Sequence, residues 1–348
     1  MMLEKSTMTF DREKIIRSGR LSISLLITFF ITWYFEIPEG MWALITCCFV
    51  VFEFTTWGGV STKSWMRFIA TFFSAVYSIL VIYFFGNNAV INLIALIVGV
   101  FIYGYLFLDK KEVYVSVLGC VTLTLTLINY NHIDAGLLRP FNIALGILIS
   151  LLTFKFFYPA YAREKIMVLQ WDYMGHLRQI MEDFLDSQIS LEALKERYLS
   201  HENDLLKSIA TFARLIEEAK MEMKEDSLFI QTNVLAFEHC RRIYRLMSVL
   251  VYHLLTKSIR ENVLIDAEQI KMNLAIIQAN INIAIKPSDT SYNQTELLKN
   301  IQKSDDTISD QQTAFVKMLM LEITEQMVLY DKKLMTIIPI CLNRYRED

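Results

Sequence analysis

The sequence predicts an all-α membrane protein, with six transmembrane helices followed by a helical cytoplasmic domain. Three observations carry this: successive hydrophobic runs in the first half, a change to amphipathic spacing in the second, and positive charge recurring on alternate connections.

The hydrophobic runs cover residues 19–35, 40–57, 66–85, 88–108, 112–130 and 139–158. Each has about the length an α-helix needs to cross a hydrocarbon core of roughly 30 Å. The connections are so short that neighbouring helices must be antiparallel. A soluble core explains one or two such runs, but not six in succession. With 54% apolar residues and a mean hydropathy of +0.35, the 348-residue chain is more hydrophobic than soluble chains of its size.

Residues 1–18 form an N-terminal arm whose basic residues Arg12, Lys14 and Arg17, with Arg20 just beyond, precede the first run. No small-residue cleavage pattern follows, so the run reads as an uncleaved first span. Positive charge returns in the second loop (Lys63, Arg67), the fourth (Lys110, Lys111) and after the sixth span (Arg163, Lys165). The first loop carries only Glu36 and Glu39, the third only Asn87 and Asn88, and the fifth the single Arg139. By the positive-inside rule both termini are cytoplasmic. Trp33, Trp42, Trp57, Trp65, Tyr83, Tyr130 and Tyr158 sit near the expected interfaces.

The transmembrane domain thus spans 19–160 and the helical cytoplasmic domain 161–348. The latter carries five apolar stripes stepping by three or four residues: Ile166 to Phe184, Leu205 to Met223, Phe237 to Leu254, Leu264 to Ile281 and Val316 to Leu334. A polar stretch at 287–310 separates the last two as a loop, with one weak helical turn around Leu297. Pro339 breaks the final pattern, which predicts a kink or a separate turn.

The net charge of −3 supplies no basic field for nucleic acid. Five scattered cysteines have neither metal nor redox spacing, and the five histidines are equally dispersed. The absence of a Walker sequence excludes ATP hydrolysis by that route, and no catalytic motif, cofactor or metal site is expected.

Charge inside a span is the informative signal, because burying it in lipid costs several kcal/mol unless it is paired or hydrated. Glu53 is the one acidic residue well inside a span. Two readings stand: a proton-carrying carboxylate, or one that reaches the interface or pairs with Arg67 or Lys63. Arg139 either attracts an anion or anchors the sixth helix. In the fifth span Thr122, Thr126 and Asn129 share a face, as interhelical glue or a pathway wall.

Several motifs add a family resemblance over about residues 15–165. Trp42-Ala43-Leu44-Ile45-Thr46 resembles the W-A-L-x-T run that opens the second helix in the fusaric acid resistance (aromatic acid exporter) family. Arg67 with Ala70-Thr71 is similar to its R-x-x-G-T, with Ala in place of Gly. Arg139 before Gly146 matches its R…G pattern, and Tyr158-Pro159 its aromatic-proline exit. Plant aluminium-activated malate transporters are distant relatives. The resemblance implies export of small organic, often aromatic carboxylic, acids across a bacterial inner membrane, driven by the proton gradient. It further implies a homodimer supplying the double unit of larger members, and a periplasmic adaptor as a partner. A passive organic-anion channel and a membrane-anchored scaffold that recruits a partner are the alternatives.

Overall fold

The computed structural model describes residues 12–53, 56–86, 88–107, 113–128, 133–186, 188–223, 227–256, 264–285 and 311–344. They form helices α1 (Arg12–Tyr34), α2 (Met41–Glu53), α3 (Trp57–Phe85), α4 (Ala89–Phe107), α5 (Val113–Ile128), α6 (Ile133–Phe156), α7 (Ala162–Leu185), α8 (Leu191–Glu222), α9 (Leu228–Thr256), α10 (Leu264–Ile285) and α11 (Gln311–Arg344). No strand occurs among the described residues. The chain divides into two compact units, residues 1–161 and 162–348.

In the first unit, the segments Lys14–Tyr34, Trp57–Phe85, Ala89–Phe107 and Leu138–Phe156 are long and apolar enough to cross a membrane. Two more apolar helices, Met41–Phe52 and Val113–Ile128, are shorter. At 1.5 Å per residue the 13 residues of α2 reach only about 20 Å, whereas the 29 of α3 reach about 43 Å. Large apolar side chains such as Phe84, Phe101 and Phe52 cover the outside of this unit. That inside-out distribution identifies a membrane protein.

The division between the second and third hydrophobic runs differs from the sequence reading. The second run was expected to continue to Trp57, with Lys63 and Arg67 in a loop. Instead, Thr56 caps a helix that begins at Trp57, its Oγ1 accepting from the Gly59 N–H at 3.3 Å. Both basic residues therefore lie inside α3. Charge and two glycines mark a loop by composition, but a capped N-terminus overrides both. Arg139, expected at the exposed start of the sixth helix, lies inside α6, which begins earlier at Ile133.

Within this unit α3 packs on α5 and α6, α6 on α1 and α2, and α4 on α5. Close approach is set by glycine at two places. A Cβ at Gly119 on α5 would collide with the Tyr103 ring of α4. One at Gly146 on α6 would lie 2.5 Å from the Ala43 carbonyl of α2. Tyr103 reaches into the α3–α5 contact, donating from Oη to the Ala70 carbonyl at 3.1 Å, with the Ser74 hydroxyl 2.9 Å away.

The second unit is a helical bundle built on the stripes the sequence displays. Ile166, Tyr173, Leu177, Ile180 and Phe184 of α7 are buried, as are Val316, Leu319, Ile323, Met327, Tyr330 and Leu334 of α11. The five helices share one apolar core, in which Phe212 stacks on Phe237 at 3.7 Å between centroids. The Glu222 carboxylate accepts the backbone N–H of Ala162 at 2.9 Å, satisfying a donor at the start of α7. α11 runs through Pro339 to Arg344, so no separate turn begins there; burial of Ile337 and Ile338 holds that last stretch in register. The polar stretch at 287–310, including Leu297, lies outside the described residues.

Candidate functional site

The membrane unit keeps its polar residues on the inside. On α3, Ser64, Arg67, Thr71, Ser74 and Ser78 recur at steps of three and four, and all are buried. On α6 the same spacing aligns Arg139, Asn142, Gly146, Ser150 and Thr153, and on α1 it aligns Arg20, Ser24, Thr28 and Thr32. Such spacing places each set along one helix face. The three seams face the interior of a unit whose outer surface is apolar.

Most of these groups are hydrogen-bonded. Thr28 Oγ1 meets Cys47 Sγ at 3.0 Å, and Cys47 Sγ donates to the Gly146 carbonyl at 3.3 Å, which joins α1, α2 and α6. Ser150 and Thr153 donate back to carbonyls of their own helix. Arg20 at the start of its seam donates to the Tyr158 carbonyl and lies over the Phe154 ring. The Thr28–Cys47–Gly146 bonds are interhelical glue, whereas Ser150 and Thr153 are satisfied within α6.

Buried polar atoms without a partner occur at Ser24 of α1, at both amide atoms of Asn92 of α4, and around two arginines. Arg139 is 7% exposed, its guanidinium carbon 4.1 Å from the centre of the Trp42 ring. Its Nε and Nη1 have no hydrogen-bond partner, and neither has Oδ1 of Asn142 one turn along. Asn142 uses its Nδ2 to donate to the Pro38 carbonyl at 2.9 Å. Arg67 is 3% exposed and lies 5.1 Å from the Phe49 ring. Its Nη1 reaches Tyr114 Oη at 3.5 Å, while its Nε and the hydroxyl of Ser64, one turn away, have no partner. Among the described residues no carboxylate forms an ion pair with either guanidinium. Burying a guanidinium without a directly paired carboxylate carries a desolvation cost of several kcal/mol. Donors so placed are suited to holding an anion, to which a guanidinium offers two parallel N–H bonds.

The residues singled out from the sequence fare unevenly. Arg67 and Arg139 sit on the facing helices α3 and α6, each beside an aromatic ring. Thr122 and Thr126 are buried on one face of α5, but Thr126 donates to the Thr122 carbonyl at 2.8 Å, turned back on its own helix. Glu53 is the last residue of α2, and its side chain lies outside the described residues, as does Asn129 altogether. Trp42 carries Arg139, and Thr46 donates to the Trp42 carbonyl at 2.7 Å. Thr71 is buried on the α3 seam, Gly146 admits α2, and Pro159 is exposed in the connection after α6. The sequence reading missed the seams on α1, α3 and α6, together with Ser64 and Asn142. Their signal was present as serine and threonine at helical spacing. Among the described residues no three His, Cys, Asp or Glu side chains converge as metal ligands.

An all-helical unit with an apolar outer surface and a polar, arginine-bearing interior defines the class: a helical membrane protein. Residues 15–331 match the Fusaric acid resistance protein family, and the chain belongs to that family. A curated relative is the inner membrane protein YeeA of Escherichia coli (strain K12), 27% identical over 158 residues. That match covers 44% of this chain and 45% of the relative, so the two correspond over less than half of their lengths.

Proposed function

We infer that the chain is an inner-membrane secondary transporter that exports small organic anions, aromatic carboxylic acids foremost, in exchange for protons. The observation that carries this reading is the pair of buried arginines, Arg67 and Arg139, whose guanidinium N–H groups are not used up within the protein. Each stands beside an aromatic face, so a carboxylate attached to a ring meets charge and apolar surface together. Family membership supports the substrate class, and the relative's inner-membrane designation supports the location.

On this reading all six apolar helices span, α2 and α5 as short members, within a transmembrane domain of 19–160. Residues 1–18 and the helical unit at 161–348 are cytoplasmic. Arg67 then lies toward the cytoplasmic mouth and Arg139 toward the external one. Two copies form the working dimer, and a periplasmic adaptor continues the route outward. Glu53 is the proton-coupling carboxylate.

Efflux of radiolabelled benzoate from proteoliposomes under an imposed pH gradient tests the coupling. Efflux that follows the gradient in the wild type and loses that dependence in Glu53→Gln supports the proposal. Single-channel conductance with no response to the gradient replaces the exporter by a passive anion channel.

A further inference from the structure

Arg139 on α6 is held by an arrangement that begins in the turn between α1 and α2. The turn between α1 and α2 bears the two acidic residues Glu36 and Glu39, and both adopt positive φ, 47° and 58°. Left-handed backbone is uncommon for any residue with a Cβ, and two in one short turn mark a chain bent to aim particular groups. α6 grips this turn through the Asn142 bond to the Pro38 carbonyl. One residue further on, Glu39 Oε2 accepts the indole N–H of Trp42 at 3.2 Å. The other side of that relation is the Trp42 ring, which lies under the Arg139 guanidinium. Carboxylate, indole and guanidinium therefore form a relay from the exposed turn to the buried cation. Glu39 is also the carboxylate whose field reaches Arg139. At this end of the helices, the described charged side chains are Glu36 and Glu39 on the turn and Arg139 on α6.

The geometry points to Glu39 as a positioning residue that acts on Arg139 through Trp42 and weakens the grip of that arginine on an anion. The inference rests on the anion-handling reading of Arg139. Two effects combine. The carboxylate fixes the indole plane, and by drawing on the indole N–H it enriches the ring face that holds the guanidinium. Its negative charge also opposes an anion arriving at the unused Nε and Nη1. A transport site must bind well enough to load and weakly enough to release. Glu39 supplies the second half of that requirement without touching the anion.

The test is the concentration dependence of radiolabelled benzoate flux, measured on the full-length protein in proteoliposomes. Removing the charge while keeping the shape, in Glu39→Gln, lowers KM roughly threefold to tenfold and lowers the maximal rate, because one nearby unit charge is worth about that factor in affinity. Glu39→Asp returns both parameters toward wild type. Glu39→Met, equally uncharged, tightens KM in the same way and serves where the Gln variant does not fold. A merely structural role would raise KM or reduce folded protein, and would not tighten binding. An unchanged or raised KM in both uncharged variants, with Arg139→Gln still weakening flux, overturns the role of Glu39 and leaves the anion reading intact. Wild-type KM in Arg139→Gln overturns the anion reading itself.

Discussion

His176 of α7 and His201 of α8 face one another Nδ1 to Nδ1 at 3.1 Å, so one ring must donate and the other accept. His201 Nε2 lies 3.7 Å from Asp183 Oδ2, and Asp183 in turn holds Arg197 at 2.8 Å. Burial pushes the pKa of His201 down, and His176 and Arg197 add to that, while Asp183 and Asp204 oppose it. A histidine with a lowered folded-state pKa stabilises the fold above its ordinary value of about 6.5. That contribution is lost as pH falls through the folded value.

The thermal midpoint of the purified protein should therefore fall as pH is lowered from about 7 to about 5. His201→Gln should flatten that part of the profile. A wild-type midpoint that is constant or rising over this interval contradicts the assignment.

Tyr330 donates to Gln170 Oε1 at 2.7 Å, and Gln170 Nε2 donates to Asn233 Oδ1 at 2.8 Å, a buried chain across α11, α7 and α9. Tyr330→Phe removes one donor and strands an acceptor, at a cost of about 1–3 kcal/mol. Chemical denaturation of the variant should show the loss, and unaltered stability would mean the chain is not closed in solution.

Gly119→Ala places a methyl group into the Tyr103 ring, whose hydroxyl is fixed to Ala70. The ring cannot retreat without breaking that bond, so a loss of about 1–3 kcal/mol is expected. The double variant Gly119→Ala with Tyr103→Leu should recover part of it. Failure of the second change to help, measured by thermal unfolding in detergent, would place the strain elsewhere.

Cys341 is half-buried on α11, and burial raises its thiol to about 11. Since the thiolate is the reactive form, alkylation at neutral pH should be slow in the folded protein and fast after denaturation. Rapid labelling of Cys341 in the native state would show that the end of α11 opens.

Much of the second unit was legible because its apolar side chains repeat at helical spacing, and those stripes are the buried ones. The first unit was legible as hydrophobic helices for the same reason. Its interior was harder to read. A hydropathy average absorbs Thr71, Ser74 and Ser78 into an apolar run and leaves Ser64 outside it, although their three-and-four spacing on α3 is plain in the sequence. Lys63 and Arg67 read as a loop because charge lowers hydropathy, whereas the cap at Thr56 acts locally and carries the helix through them. Arg139 over Trp42 joins residues far apart in sequence, and no local pattern could announce it. The turn that aims Glu39 depends on backbone angles that neither glutamate favours.

The most direct measurement is benzoate flux in proteoliposomes reconstituted with wild type, Arg67→Gln, Arg139→Gln and the double variant. Thermal midpoints serve to confirm folding. Loss of a buried guanidinium that grips a carboxylate should reduce flux at least about tenfold in each single variant. Folded variants that carry benzoate at the wild-type rate would contradict the account of the arginine-bearing interior as the path for anions.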